Sequence, residues 1–197
     1  NDIIGLNDSL AHPILKKYFY EKNFSSMSLS LQSANSINKT FANYSSKQIP
    51  NSRTNLLDLN DFEMPIFSID KQKANGIPEV AIDFKRHISD SDAIIISFAE
   101  HNGSYTSAFK NILDWTSRIE RIVWCGKPML LLSASDGERG AKLVLDTAFN
   151  RIKRENSDTL FWILGFLSKS GFHAKVVVFD SFNMVFQLLE QTPCRII

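Results

Sequence analysis

The stretch Ala93-Ile-Ile-Ile-Ser-Phe98 decides the fold predicted from this sequence, together with the residues that follow it directly, Ala99-Glu-His-Asn-Gly-Ser104. Its first half is an almost continuous apolar run, which is typical of a strand buried on both faces of a parallel sheet. Its second half contains Asn102-Gly103, a turn signal, and Ser104, which can cap a helix. We therefore expect a polar loop at the carboxyl end of a parallel strand, where open α/β sheets bind ligands.

Strand-like and helix-like segments alternate along the chain, which indicates a doubly wound parallel sheet in a single domain over residues 1–197. The predicted strands cover residues 54–59, 93–98, 128–133 and 174–179. The predicted helices cover residues 77–89, 104–121, 140–152 and 182–190. The more apolar segment 157–170 is interpreted as a further helix, packed on the sheet or in a subunit interface.

The first strand has two candidates. Residues 27–31 lie directly before the polar loop Gln32-Ser-Ala-Asn-Ser-Ile-Asn38, but their alternating pattern suits a central strand poorly. Residues 2–6 look more like a central strand. Either residues 2–6 form it, with a long insertion before residue 35, or residues 1–25 are an appended segment. We favour residues 27–31 because they are continuous with the loop.

Composition excludes several classes of function. The net charge is +1 and there is no long basic tract, so we expect no nucleic-acid partner. The longest apolar run, residues 160–167, is far shorter than the roughly 18 residues that span a bilayer, and no signal peptide is recognisable, so we expect no membrane partner. Cys125 and Cys194 form neither a metal-ligand spacing nor a disulfide framework, and the histidines add no metal spacing. We therefore expect no metal, and a cytoplasmic location.

Two motifs carry a family resemblance. Glu100-His-Asn-Gly-Ser104 and Phe109-Lys-Asn-Ile-Leu-Asp-Trp115 resemble the flavin-loop signature of the NADPH-dependent FMN reductases, which reads Pro-Glu-Tyr-Asn-Gly-Ser, then Leu-Lys-Asn, then Asp-Trp. Ala99 and His101 replace the Pro and the Tyr. The resemblance implies a flavodoxin-like three-layer sandwich with a five-stranded parallel sheet, in the order 2-1-3-4-5, and FMN at its carboxyl edge. Further resemblance covers Leu56-Leu-Asp-Leu59, Met64-Pro-Ile-Phe67, Gly76-Ile-Pro78, Lys127-Pro128 and Ser135-Asp-Gly-Glu-Arg-Gly140.

The polar loop before the first predicted helix is the candidate phosphate site. A helix N-terminus attracts a phosphate through its backbone N–H groups and its dipole. The resemblance implies that this loop holds the FMN phosphate, although the family's earlier Gly-Ser and Arg are missing here. The same residues also suit a plain helix cap with solvated polar side chains. The candidate cofactor-binding residues are Ser33, Asn35, Ser36 and Asn38.

Two further loops complete the implied flavin site. The loop Glu100, His101, Asn102, Gly103 and Ser104 would lie along the isoalloxazine, with His101 stacked on the ring. In the loop after the strand at 128–133, glycines permit close approach of the backbone to a planar ligand, while Ser135 and Arg139 can donate to ring carbonyls or to a phosphate. This loop contributes Ser135, Gly137, Arg139 and Gly140. Met64 and Phe67 either line a substrate pocket or simply cover the core.

The resemblance implies an enzyme. Hydride would pass from NADPH or NADH through bound FMN to a small-molecule electron acceptor such as a quinone, an azo compound or a free flavin. Because the cofactor carries this chemistry, we nominate no catalytic acid or base. The alternative is a flavodoxin-like module without catalysis, serving electron transfer or protein interaction.

A homodimer or a homotetramer is also expected. Family members often pair near the flavin, and aromatic residues are enriched in interface cores. Two apolar groups of side chains suggest such an interface here, although both could instead face the protomer's own sheet. They are Trp115, Ile119 and Ile122 on one helix, and Phe161, Trp162 and Phe166 in the later apolar segment.

Overall fold

The computed structural model describes residues 24–30, 36–47, 52–127, 129–137, 139–155, 161–169 and 172–179. Its strands are β1 (Phe24–Ser30), β2 (Ser52–Asp58), β3 (Ala93–Phe98), β4 (Met129–Ser135), β5 (Phe161–Lys169) and β6 (Phe172–Phe179). They form one sheet in the order β2-β1-β3-β4-β6-β5. The helices are α1 (Ile37–Lys47), α2 (Ile69–Asn75), α3 (Glu79–Asp90), α4 (Ser107–Ile119) and α5 (Lys142–Lys153), with a 3-10 turn at Leu59–Phe62.

Strand β3 shows why the sheet is covered on both faces. Residues 94–98 are all buried, and alternate side chains point to opposite faces. Ile94, Ile96 and Phe98 belong to a core cluster that also contains buried side chains of α3, α4 and α5. Ser97, on the other face, donates a hydrogen bond to Asn38 of α1. The described part of the chain is therefore a three-layer sandwich.

The first four strands form the parallel part of the sheet. β1 pairs in parallel with β2 on one side and with β3 on the other, and β3 pairs in parallel with β4. The prediction of a first strand near residues 27–31 is therefore confirmed at Phe24–Ser30. The chain turns in opposite directions after β1 and after β3, which creates the crevice where sheets of this kind bind ligands.

The far edge of the sheet differs from the expectation. The segment predicted as a helix at 157–170 contains strand β5, and β6 is antiparallel to both β4 and β5. An apolar run of this length has no clear helical period, and its Phe, Trp and Ile residues favour strands. Only two residues separate Lys169 from its partner Phe172, and so short a connection permits only antiparallel pairing. The expectation of a sheet of five parallel strands was therefore wrong for the described residues.

Helix boundaries follow local capping. α4 begins after Thr106, whose hydroxyl accepts a hydrogen bond from the backbone N–H of Phe109, so the predicted cap at Ser104 was wrong. α2, which the sequence reasoning missed, is capped by Ser68 and ends at Gly76 with φ +75°. Among the described residues, no helix is both long and apolar enough to cross a membrane. The predictions for residues 2–6 and for a helix at 182–190 lie outside the described residues.

Candidate functional site

Asn38 joins three elements at the carboxyl edge of the sheet. Its side-chain oxygen accepts hydrogen bonds from the Ser97 hydroxyl at 2.9 Å and from the backbone N–H of Ala134 at 3.0 Å. Its Nδ2 donates to the carbonyl of Ala134 at 3.1 Å. Asn38 is only 3% exposed. The amide that the sequence nominated for phosphate binding therefore ties the start of α1 to the ends of β3 and β4.

The first turn of α1 has a side-chain cap and a nearby ion pair. The Ser36 hydroxyl accepts from the backbone N–H of Lys39 at 3.4 Å. Lys39 Nζ lies 2.8 Å from Asp58 at the end of β2. Burial alone would raise the pKa of Asp58, but hydrogen bonds from Lys39 and Asn60 hold it below its usual value. Ser33 and Asn35 lie outside the described residues.

The loop after β3 ends in a tight turn. The backbones of His101 and Ser104 exchange two hydrogen bonds, of 3.0 and 3.1 Å. Between them, Asn102 and Gly103 both have positive φ, of 51° and 75°, as a type I′ turn requires. His101, Asn102 and Ser104 are exposed and Gly103 is partly exposed. The turn thus presents its backbone and the imidazole of His101 outward.

An aromatic group supports this turn from behind. The Tyr105 ring lies 5.8 Å from the Phe98 ring and 5.0 Å from the Phe109 ring, measured between centroids. Burial raises the pKa of Tyr105 to about 12. Its hydroxyl therefore stays protonated at neutral pH, and the side chain serves as an uncharged wedge between β3 and α4.

Glu100 connects the loop after β3 to the loop after β4. Its carboxylate accepts a 3.0 Å hydrogen bond from the backbone N–H of Val144, in the first turn of α5. A carboxylate at this position also interacts favourably with the helix dipole. A Cβ atom added to Gly103 would lie 3.2 Å from Leu143 Cδ1, so the two loops approach closely. Glu100 is therefore placed as a clamp between loops.

The loop after β4 is held by its own hydrogen bonds. The Ser133 hydroxyl donates to the carbonyl of Gly140 at 3.0 Å, and the Gly140 N–H donates to the carbonyl of Gly137 at 2.9 Å. The Ser135 hydroxyl donates to the same Gly137 carbonyl at 3.3 Å. Gly140 is buried with φ +57°, whereas Gly137 and Arg139 are exposed. Only Gly137 and Arg139 of the four nominated residues are fully presented to solvent.

Asn111, which the sequence analysis did not nominate, holds the backbone of the segment 64–67. Its side chain accepts from the backbone N–H of Phe67 at 2.8 Å and donates to the carbonyls of Met64 and Pro65 at 3.1 and 3.2 Å. Trp115 Nε1 also donates to Pro65, at 2.7 Å, and its ring packs edge-to-face on Phe67. Asn111 and Trp115, the Asn of the Lys-Asn part and the Trp of the Asp-Trp part of the motif, therefore anchor the segment 64–67. They were the signal that could have revealed this role.

The described parts of the predicted site share one edge of the sheet. Asn38 links the start of α1 to β3 and β4, and Glu100 links the next two loops. The donor set suits a planar group that has a polar edge and a phosphate. It consists of a helix N-terminus, the backbone of an exposed glycine turn and the cation of Arg139. The residues present therefore fit FMN.

Comparisons with curated proteins point the same way. A 2-hydroxy-1,4-benzoquinone reductase from a Burkholderia species is 38% identical over 81 residues, which are 41% of this chain and 43% of that protein. A quinone reductase from Escherichia coli is 31% identical over 78 residues, covering 40% of this chain and 42% of its own length. The matched region thus spans less than half the length of these relatives.

A solved structure and a family model match this chain over a longer range than these relatives do. FerB, a flavoenzyme NAD(P)H:(acceptor) oxidoreductase from Paracoccus denitrificans, matches with a TM-score of 0.56 and 25% identity, over 68% of this chain and 72% of that one. This supports a flavodoxin-like α/β fold. The family model described as NADPH-dependent FMN reductase matches residues 29–156. That range covers β2, β3, β4, the last two residues of β1 and every described site segment, and the chain therefore belongs to the NADPH-dependent FMN reductase family.

Proposed function

We propose that this chain is an FMN-dependent NAD(P)H oxidoreductase that reduces a small acceptor. The observation that carries the proposal is the hydrogen-bonded convergence of the start of α1 with the loops after β3 and β4, through Asn38 and Glu100. Membership of the FMN reductase family supports FMN as the cofactor and NADPH or NADH as the electron donor.

The proposed phosphate site lies at the start of α1. The helix N-terminus, Ser36, and the preceding Ser33 and Asn35 would bind the phosphate through backbone N–H and hydroxyl or amide groups. Asn38 has a positioning role, because two acceptor contacts and one donor contact already engage its amide. Its hydrogen bonds hold the first turn of α1 against the strand ends.

The proposed ring site lies between the two remaining loops. The turn from His101 to Ser104 would offer backbone groups and a flat imidazole to one part of the ring, while Ser135, Gly137, Arg139 and Gly140 would border its polar edge. FMN, when bound, would supply the centre that accepts and donates hydride. The chain itself orients the ring through the Glu100 clamp and keeps the loop backbones close together.

A quinone is the acceptor class that we propose first, because two of the relatives are named for quinone reduction. The segment 64–67 would border the acceptor. Met64 and Phe67 are partly buried, whereas Ile66 is 76% exposed. Asn111 and Trp115 fix the backbone of this segment, so its side chains meet an acceptor in a defined arrangement.

A homodimer or a homotetramer, in a reducing compartment such as the cytoplasm, remains part of the proposal. Trp115 is 1% exposed and packs on its own segment 64–67, so it no longer supports an interface. Ile122 is 45% exposed, so it still supports the proposal of an interface. The other aromatic residues invoked, Phe161, Trp162 and Phe166, lie in β5. Light scattering coupled to size-exclusion chromatography tests this, and a mass of 22.4 kDa would reject it.

Titration with FMN, followed by absorbance and calorimetry, tests the cofactor. We expect a dissociation constant in the micromolar range or lower, and weaker binding of riboflavin, which lacks the phosphate. Arg139→Gln should weaken binding, whereas Arg121→Gln, at another exposed arginine, should not. No saturable binding at tens of micromolar (about −6 kcal/mol) would overturn the proposal in favour of a module without catalysis.

A stopped-flow mix of the FMN-loaded protein with NADPH tests the reaction. We expect bleaching of the flavin absorbance by NADPH or NADH, and its return on addition of a benzoquinone. An electron-transfer module would bind FMN but would not be reduced directly by the nicotinamide.

A further inference from the structure

A buried lysine contacts a cysteine at the opposite edge of the sheet, far from the proposed flavin site. Lys85, on α3, has a side chain that is 7% exposed. Its Nζ donates to the carbonyl of Val123 at 2.6 Å and to the carbonyl of Ile122 at 3.2 Å. The same atom lies 3.0 Å from Cys125 Sγ and 2.7 Å from the Glu120 carboxylate. These four contacts hold the amine against the segment 120–125, before β4.

The geometry of Cys125 keeps its sulfur beside that amine. The residue has φ +53°, and its N–H donates to the carbonyl of Ile122 at 3.2 Å, which closes a tight turn. The thiol is free and partly exposed. Besides Lys85, Sγ lies 3.8 Å from the Ser89 hydroxyl and 3.8 Å from Glu120. A small oxidant can therefore reach a sulfur that already touches a nitrogen nucleophile.

We propose that Cys125 is a peroxide-reactive thiol whose oxidised sulfur is captured by Lys85 to form a covalent S–N bond. In the first step the sulfur attacks a peroxide, the O–O bond breaks, and sulfenic acid and water or an alcohol form; sulfur loses two electrons and the peroxide gains them. The thiolate is the form of a cysteine that attacks a peroxide, and Sγ of Cys125 lies 3.0 Å from Lys85 Nζ.

In the second step Nζ attacks the sulfur and displaces its hydroxyl. The Lys85 ammonium first loses a proton to solvent beside the exposed Glu120 carboxylate, the S–N bond forms as the S–O bond breaks, and the hydroxyl leaves as water with a second proton from the nitrogen. The hydrogen bond and the charge of Lys85 hold the pKa of Glu120 below its usual value, so this group is a carboxylate at neutral pH. Its side chain is 51% exposed, so solvent reaches the ion pair with Lys85.

The crosslink would join α3 to the segment before β4. The linked residues are 40 positions apart, and closing a loop of this length restricts the unfolded chain. We therefore expect the oxidised protein to melt at a higher temperature than the reduced protein. A thiol reductant that attacks the S–N bond should reverse both the bond and the shift.

Peptide mass spectrometry of the full chain after hydrogen peroxide tests the proposal, with Cys194→Ser as the background to exclude other cysteine pairs. We expect a linked pair of peptides that lacks two hydrogen atoms relative to their sum, with trypsin cleavage lost after Lys85, and both changes reversed by dithiothreitol. Cys125→Ser should abolish the link. Lys85→Arg retains the cation but is a poor nucleophile, so Cys125 should instead proceed to sulfinic and sulfonic acids.

Three results would overturn the proposal. One is an unmodified Cys125 after peroxide, and another is sulfinic or sulfonic acid without a link in the protein that retains Lys85. The third is a linked pair carrying an extra oxygen atom, because the nitrogen would then not be bound directly to sulfur. The measurement on the protein that retains Lys85 decides the matter even if Lys85→Arg fails to fold.

Discussion

The carboxylate of Glu100 and the backbone N–H of Val144 form a 3.0 Å hydrogen bond that joins the loop after β3 to the first turn of α5. The two residues are 44 positions apart in the chain. The bond satisfies one of the N–H groups that a helix leaves free at its start. This side chain therefore helps to set the spacing of the two loops that border the proposed flavin ring.

Replacing Glu100 tests this clamp. Glu100→Ala should lower the free energy of unfolding by about 1 kcal/mol, the usual effect of losing a helix N-terminal acceptor, and should weaken FMN binding. Glu100→Gln retains an acceptor oxygen and should have a smaller effect on both quantities. Urea unfolding and FMN titration of the two variants check this. Equal effects of Ala and Gln would show that the hydrogen bond to Val144 does not matter.

Asn38→Ala should be among the more damaging substitutions in this region. It leaves the Ser97 hydroxyl and the Ala134 N–H without their partner in a buried site, where an unsatisfied group costs about 1–3 kcal/mol. We expect a loss of stability of about 2–4 kcal/mol on the same principle. Asn43→Ala, on the same helix, is the matched control for urea unfolding. In the Ser97→Ala background the Asn38→Ala loss should shrink, and a purely additive result would contradict the contact.

Gly103→Ala should cost about 1–2 kcal/mol of stability, because φ +75° is unfavourable for a residue with a side chain. Part of the loss should also come from the new 3.2 Å contact with Leu143. Leu143→Ala should relieve that part only. Gly137→Ala, where the added Cβ meets Ser135 at an ordinary 3.8 Å and φ is not positive, is the control. Thermal unfolding that ranked the two glycine variants equally would refute this account.

Gly103→Val should also impair FMN binding. A β-branched side chain at positive φ disturbs the turn that we place beside the ring. We expect at least a tenfold rise in the dissociation constant of FMN (about 1.4 kcal/mol). Unchanged affinity in a folded variant would remove Gly103 from the proposed site.

Asp58 should make stability depend on pH in acid. Its pKa is lowered in the folded state, so its contribution is present above the unfolded pKa and is lost as the pH falls through the folded pKa. Asp58→Asn retains an acceptor for the Asn60 N–H but loses the ion pair with Lys39. We expect the wild type to be more stable than this variant at neutral pH, and the difference to vanish in strong acid. A difference independent of pH would contradict the ion pair.

Tyr105 should make the stability of the protein depend on pH in alkali. Its pKa rises from 10.0 to about 12 on folding, so the unfolded chain loses this proton first as the pH increases. Stability should therefore fall between these two values. Tyr105→Phe removes this contribution, and the gap between the two stability curves measured against pH isolates it from other groups. Parallel curves in alkali would mean that the hydroxyl is not buried.

The sequence predicted the parallel core better than the far edge. The strand predicted at residues 93–98 coincides with β3, because its short apolar run is rich in β-branched isoleucine and is typical of a buried strand. The apolar segment containing β5 was misassigned, since its composition suits either a buried helix or a strand. Its pairing with β6 settles the choice, and that pairing is a contact between strands that no local pattern contains.

The sequence by itself determined the parallel strands, the polar loops at their carboxyl ends and the family motifs, because these depend on neighbouring residues along the chain. Only the tertiary structure decided what individual polar side chains do. Asn38 meets Ala134 across 96 positions, and Asn111 meets Met64 across 47. An amide has the same donors and acceptors wherever it lies, so it binds a ligand or secures a loop according to the partner that folding places within about 3 Å of it.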